Sequence, residues 1–182
     1  MRRLATLAAL LLAACASGQP DEVVQTVPSP TRISTSTGNI DLATTASSTA
    51  IGGVVQGSVQ RAWAVLPAVY EQLQIPVTTV KSDQYLIGNP GAKVRRVIGG
   101  TAMPRFLECG STNGGLNAET YLVTLSIHTQ LVPATEGETS VFSVVDASAV
   151  PPGFGNSSAV HCASTGELER RIAALVAERL RE

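Results

Sequence analysis

The clearest alternation of apolar and polar positions lies between Thr120 and Val132, where Tyr121, Val123, Leu125, Ile127 and Leu131 interleave with Thr124, Ser126, His128 and Gln130. A period of two predicts a strand with one buried face. A second strand is predicted over Thr139 to Ala149, and Pro133 and Gly137 mark the loop that joins the two as a hairpin. Helical periodicity occurs in two places. Val59, Trp63, Leu66, Tyr70 and Leu73 recur at spacings of three and four, which predicts a helix from Ser58, its N-cap, to about Leu73. Pro67 falls inside it, so a kink or break is expected near Trp63 to Pro67. The last helix is expected after Ser164, with Ser164 and Glu167 spaced as a capping box and Leu168, Ile172, Leu175, Val176 and Leu180 as its apolar stripe.

Shorter strands are predicted at Ile51 to Gln56, Val77 to Lys81, Gln84 to Gly88 and Lys93 to Ile98, the last three separated by Ser82-Asp83 and by the turn chemistry of Asn89-Pro90-Gly91. Helix, antiparallel strands, helix is an α+β order. The expected fold is an antiparallel sheet of about five or six strands with two helices on one face, occupying residues 51–182 as a single domain. Residues 31–50 are rich in Ser and Thr and hold a candidate hairpin, Thr31 to Thr37 with Ile40 to Thr45, turning at Gly38-Asn39.

The amino terminus has a different pattern. Arg2 and Arg3 precede an apolar run from Leu4 to Leu12, followed by Leu12-Ala13-Ala14-Cys15. The run is shorter than the ~18 residues a membrane-spanning helix needs, and the layout is that of an export signal. Leu12-Ala13-Ala14-Cys15 resembles the lipobox of bacterial lipoproteins. The resemblance implies removal of residues 1–14, a diacylglyceryl group on the Cys15 thiol and acylation of the new amino terminus. Two or three chains would make attachment effectively permanent. Ordinary cleavage around Ala14 and Ala16, releasing a free domain, is the competing reading. Residues 15–30, polar and carrying Pro20, Pro28 and Pro30, read as a flexible tether. It would reach roughly 20 Å as a coil and about 50 Å drawn out. Ala16, with no aspartate after the cysteine, resembles lipoproteins sorted to the outer membrane, which implies a periplasmic-facing domain in the bacterial cell envelope.

The helix–strands–helix order, with the Trp63 helix and the closing Ser164-Thr165-Gly166-Glu167-Leu168-Glu169 helix, resembles helix-grip domains of envelope lipoproteins, including accessory lipoproteins of the outer-membrane barrel assembly machinery. No binding residue carries over from that likeness.

Three cysteines are an odd number, but giving Cys15 to lipid leaves Cys109 and Cys162 as one pair. In an oxidising compartment a disulfide there would close a loop of about 54 residues, a contribution near 4 kcal/mol. The formal charge of the chain is −1, and removing Arg2 and Arg3 makes it more acidic, so no nucleic-acid footprint exists. Positive charge is concentrated locally: Lys81, Lys93, Arg95, Arg96 and Arg105 face only Asp83 between residues 81 and 105. Lys93, Arg95, Arg96 and Arg105 form a candidate docking patch for an anionic partner or lipid headgroups. As strand residues, Arg95 and Arg96 would point to opposite sides, and a solvated edge strand with one arginine paired to Glu108 or Asp146 is the plainer alternative.

Catalytic chemistry has little to work with. The two histidines are His128, on the strand face shared with Ser126 and near Asp146 on the next strand, and His161, beside Cys162. Neither a G-x-S-x-G elbow nor metal-ligand spacing accompanies them, so no catalytic residue, metal or cofactor is assigned. The expectation is a lipid-anchored, non-enzymatic module that binds or scaffolds another envelope protein. The alternative is a carrier gripping a small apolar ligand between helices and sheet.

Overall fold

The computed structural model describes residues 25–27, 31–35, 38–42, 48–153 and 159–182. The export signal, Cys15 and the first part of the tether lie outside the described residues. The first half of the chain forms β1 (Gln25–Val27), β2 (Thr31–Thr35), β3 (Gly38–Leu42), β4 (Ser48–Gln56), α1 (Val59–Gln72), β5 (Thr79–Lys81), β6 (Leu86–Val94), β7 (Val97–Ile98) and β8 (Thr101–Ala102). The second forms β9 (Leu107–Glu108), β10 (Ser111–Thr112), β11 (Gly115–Leu116), α2 (Asn117–Thr120), β12 (Leu122–Pro133), β13 (Glu138–Val150), β14 (Val160–Ser164) and α3 (Glu167–Arg179).

The architecture is α+β. One antiparallel sheet of eight strands has the order β1-β4-β13-β12-β6-β5, and β14 pairs both β13 and β9. The sheet exceeds the five or six strands expected because short segments with no marked pattern, β1, β9 and β14, join it. β1 lies within the stretch read as tether. β2 and β3 form the expected hairpin, but Gly38 pairs with Thr35, so Gly38 and Asn39 belong to the second strand and not to its turn.

β12 and β13 pair from Leu122↔Val150 to Pro133↔Thr139. On one face Val123, Leu125, Ile127 and Leu131 lie opposite Ala149, Ala147, Val145 and Val141, all buried. α1 and α3 cover this face with Leu66, Val69 and Tyr70 from one helix and Leu168, Ile172 and Val176 from the other, each fully buried. The Arg61 guanidinium donates to the Leu180 carbonyl at 3.0 Å and that of Arg179 to Gln72 Oε1 at 3.0 Å, which ties the helices together.

One position on the dry face breaks the apolar pattern. Thr129, opposite Ser143, is wholly buried. Its hydroxyl lies 2.9 Å from the Tyr70 hydroxyl and 2.8 Å from that of Ser143, so three buried hydroxyls satisfy one another across α1, β12 and β13. Burial pushes the Tyr70 phenol far above its ordinary range, with the Thr129 bond acting in the opposite direction.

Several local expectations are revised. α1 runs through Pro67, which lies on its exposed side, so the expected break does not occur. Ser58 caps the helix by accepting from the Arg61 N–H at 3.4 Å. Trp63 is only half-buried and stands edge-on to Tyr85, with ring centroids 5.8 Å apart. Asn89-Pro90-Gly91 does not separate two strands. It is a bulge within β6, where the register against β12 jumps from Leu125↔Ala92 to Ile127↔Asn89. Asn89 holds the bulge, its amide donating to the Pro76 carbonyl at 2.7 Å and its Oδ1 accepting from the Gly91 N–H at 2.8 Å.

The Ser164–Glu167 capping box does not form. Gly166, with φ 79°, is the N-cap, and Ser164 Oγ accepts from the Gly166 N–H while donating to Glu169 Oε1 at 2.7 Å. Glu169 is buried at 1% exposure, and its Oε2 has no partner. Burial raises its carboxyl pKa above the ordinary value, against the lowering effect of Ser164.

Two stability predictions follow from these buried groups. Thr129→Val removes the shared hydroxyl and should cost about 1–3 kcal/mol in urea unfolding, with the loss less than additive when Tyr70→Phe is combined with it. For Glu169, the folded carboxyl binds its proton more tightly than the unfolded one. The stability it contributes is full below the ordinary value of 4.5 and is lost as pH rises through the folded value. Thermal melts of Glu169→Gln against the parent should therefore show a gap in favour of the variant that widens with pH.

Candidate functional site

The sheet has two dissimilar ends. At one, β12 turns into β13 through residues 134–137. At the other, β6 ends at Val94, β12 begins and β13 stops, and the small hairpins β7–β8 and β10–β11 join β9 and α2. The candidate site lies at this second end.

Arg95 and Arg96 occupy the turn between β6 and β7. Arg96 adopts φ 64°, the Val97 N–H donates to the Arg95 carbonyl at 2.6 Å, and the Met103 N–H donates to the Arg96 carbonyl at 2.7 Å. Lys93 to Ile98 is thus not one strand, and its arginines do not sit on opposite faces of a sheet. A left-handed residue reverses the chain there, and both side chains are exposed. Buried Ile98, Met103 and Phe106 hold the turn down beneath them. Arg105 is exposed on the same loop cluster, and its carbonyl accepts from the Thr165 hydroxyl at 2.8 Å. Lys93 stands apart on the open face of the sheet, its ammonium donating to Thr124 Oγ1. Among the described residues no acid pairs with Arg95, Arg96 or Arg105, and neither Glu108 nor Asp146 reaches them.

Cys109 and Cys162 are joined as a disulfide with Cα atoms 4.1 Å apart. Antiparallel pairing of β9 with β14, Ala163↔Glu108 and Ser164↔Leu107, brings the two cysteines face to face. Asn117 braces this corner, its amide donating to the Cys109 carbonyl at 2.9 Å. Over the disulfide lies a cleft of about 260 Å³ lined by Pro104, Leu107, Glu108, Cys109, Leu116 and Thr165. Leu116 and Val97 leave 46% and 45% of their surface exposed at this end. The arginines, the cleft, which Glu108 also lines, and these exposed apolar side chains all lie at the same end of the sheet. The run of basic residues was legible in the sequence. The contribution of Val97, Pro104, Leu116 and Thr165 was not, although the Gly99-Gly100 and Gly114-Gly115 turns that expose it were there to be read.

The histidines take part in no such cluster. His128 lies on the open face opposite Val144 on one side and Gly88 on the other. A Cβ built on Gly88 would come within 2.8 Å of the ring, so the imidazole lies over the glycine. Burial, then the nearby Lys81 charge, lowers its pKa. Asp146 pairs in register with Ser126, but its ionic partner is His161, at 3.6 Å, on the opposite neighbouring strand. The sheet therefore brings Ser126 and Asp146 together and leaves His128 out. His161 is exposed while Cys162, the next residue, is buried in the disulfide, so no thiolate adjoins the imidazole. No group of three or more His, Cys, Asp or Glu suited to a metal ion occurs among the described residues.

The layer between helices and sheet is filled, with Leu66, Tyr70, Leu125 and Ile172 each fully buried. Among the described residues no helix is long and apolar enough to cross a membrane. Compared with known protein families, with curated proteins and with solved structures, the chain matches none.

Replacing both cysteines of the bridge by serine should cost about 4 kcal/mol by the loop-entropy relation. Because the bridge ties the cleft floor to the start of α3, chemical denaturation of the reduced wild type and of the double variant should give matching midpoints.

Proposed function

We infer that this chain is a lipid-anchored protein of the bacterial cell envelope, held through Cys15 in the outer membrane. It acts as a non-enzymatic docking module that presents its arginine end to an anionic partner. The observation that carries this reading is the direction of β1. Gln25 pairs with Ala50 and Val27 with Ser48, while further along β4 Gln56 pairs with Glu138. β1 therefore runs away from the β12–β13 turn and towards the arginine end. Arg95, Arg96 and Arg105 lie at the end towards which β1 runs, away from its first residue, Gln25.

That polarity favours a macromolecular partner over the headgroups of the anchoring membrane as the target of the arginines. Exposed guanidinium groups with no acid paired to them among the described residues suit a carboxylate- or phosphate-bearing surface, with charge setting recognition and on-rate. Carriage of an apolar ligand, the alternative, would need space where Tyr70, Leu125 and Ile172 are in contact, so the packed core gives it no support.

Cys15→Ser should move the protein from the membrane pellet to the soluble fraction, and the mass of the amino-terminal peptide should lose its acyl groups. Arg95→Glu with Arg96→Glu should weaken salt-sensitive binding to washed envelopes by about tenfold or more, with the melting temperature unchanged. An unmodified thiol on Cys15 in protein from its native host would remove the anchor. Binding indifferent to both charge reversals and to salt would remove the docking end.

A further inference from the structure

Residues 108–116 form a loop with one buried fastening. Glu108, Gly110 and every residue from Ser111 to Leu116 are exposed, while Cys109 keeps only 6% of its surface. The hairpin β10–β11 is closed on itself, Ser111 pairing with Leu116 and Thr112 with Gly115, and among the described residues no other strand joins it. Asn117 braces the base of the loop, its backbone N–H donating to the Gly110 carbonyl at 3.0 Å and its side-chain amide to the Cys109 carbonyl. What joins the loop to β14 is the pairing of Glu108 with Ala163 and the bridge itself.

The two sulfurs differ in access. Cys162 is 2% exposed and pairs in register with Ala147 on the helix-covered face of the sheet. Cys109, with Glu108 and Gly110 on either side, lines the open cleft of about 260 Å³. Thiol–disulfide exchange needs room for a thiolate to approach one sulfur, and the cleft offers that room at Cys109.

We propose that Cys109 Sγ is an exchange site for a dithiol reductant, which enters through this cleft and frees the 108–116 loop. One thiolate of the reductant attacks Cys109 Sγ. A new S–S bond forms there as the bond to Cys162 breaks, and the departing Cys162 sulfur takes the electron pair and then a proton. The second thiol of the reductant loses its proton and attacks the reductant sulfur of this mixed disulfide. That step closes a disulfide within the reductant and releases Cys109, which takes a proton in turn. Two electrons have then passed from the dithiol to the bridge. Leu107 and Ala118, before and after the loop, are held in the core, so the change is confined to the residues between them. The site depends on neither the lipid anchor nor the docking role of the arginines.

The full chain carrying Cys15→Ser, in which Cys109 and Cys162 are the remaining cysteines, tests the site without denaturant. After brief exposure to 2-mercaptoethanol, an acid quench and peptic digestion, peptide masses should place the mixed disulfide on Cys109 in at least about tenfold excess over Cys162. With dithiothreitol, opening should rise in proportion to reductant and change less than about twofold in urea below the unfolding transition. In hydrogen exchange the reduced protein should lose protection over residues 109–117 and keep it over β12, β13 and α3. An adduct first on Cys162 or shared equally, or an opening rate that levels off at the rate of global unfolding, would overturn the proposal by leaving the bridge a structural tie reached only through unfolding. Loss of β12 and β13 protection on reduction would overturn it too, since the released unit would then be the whole domain.

Discussion

Everything in this fold leans on the dry face of the β12–β13 pair. Strict alternation commits every second residue of both strands to one side, and a slip of one residue would exchange the buried set for the exposed one. α1 and α3 have nowhere else to bury their stripes, and β6, β4 and β14 each add to an edge whose register is already fixed. The linked hydroxyls of Tyr70, Thr129 and Ser143 sharpen this commitment. A helix docked one turn away would strand polar groups in an apolar layer, a loss that hydrophobic contact alone would not register.

The elements legible in the sequence were those in which many residues repeat one instruction. β12, β13 and the stripe of α3 fall where their periodicity put them, and the Ser58 cap and the Cys109–Cys162 bridge are present. The misreadings share a cause: each turned on a single residue whose effect depends on distant partners. Pro67 does not break α1, whose buried stripe of Ala62, Leu66, Val69 and Tyr70 packs the helix around the lost hydrogen bond. Asn89-Pro90-Gly91 has the composition of a turn, but Asn89 finds the Pro76 carbonyl and the segment becomes a bulge. Ser164 has Glu167 at capping distance in sequence and bonds Glu169 instead. Thr129 carried no signal of its own in the sequence, and only the strand and helix beside it reveal its role. For the candidate site, the enrichment in arginine was plain. The reversal at Arg96 that projects Arg95 and Arg96 together was not, since nothing local marks a non-glycine residue for positive φ.

The resulting molecule is polar in the geometric sense. Its sheet has one face sealed by helices and one left open, where Phe142 and His128 lie over Gly52 and Gly88. Its two ends differ as well: one carries the β12–β13 turn, and the other collects the arginines, the small hairpins and the disulfide. Anchoring such a body at one end would orient its opposite end without any further device.

The bridge has one more consequence. Between Cys109 and Cys162 the chain is a covalent ring that contains α2, β12 and β13. A protease that nicks the backbone once anywhere within that ring severs no part of the protein from the rest. The arginine loop and α3 would both remain fastened to the amino terminus, so a single cut would release neither of them.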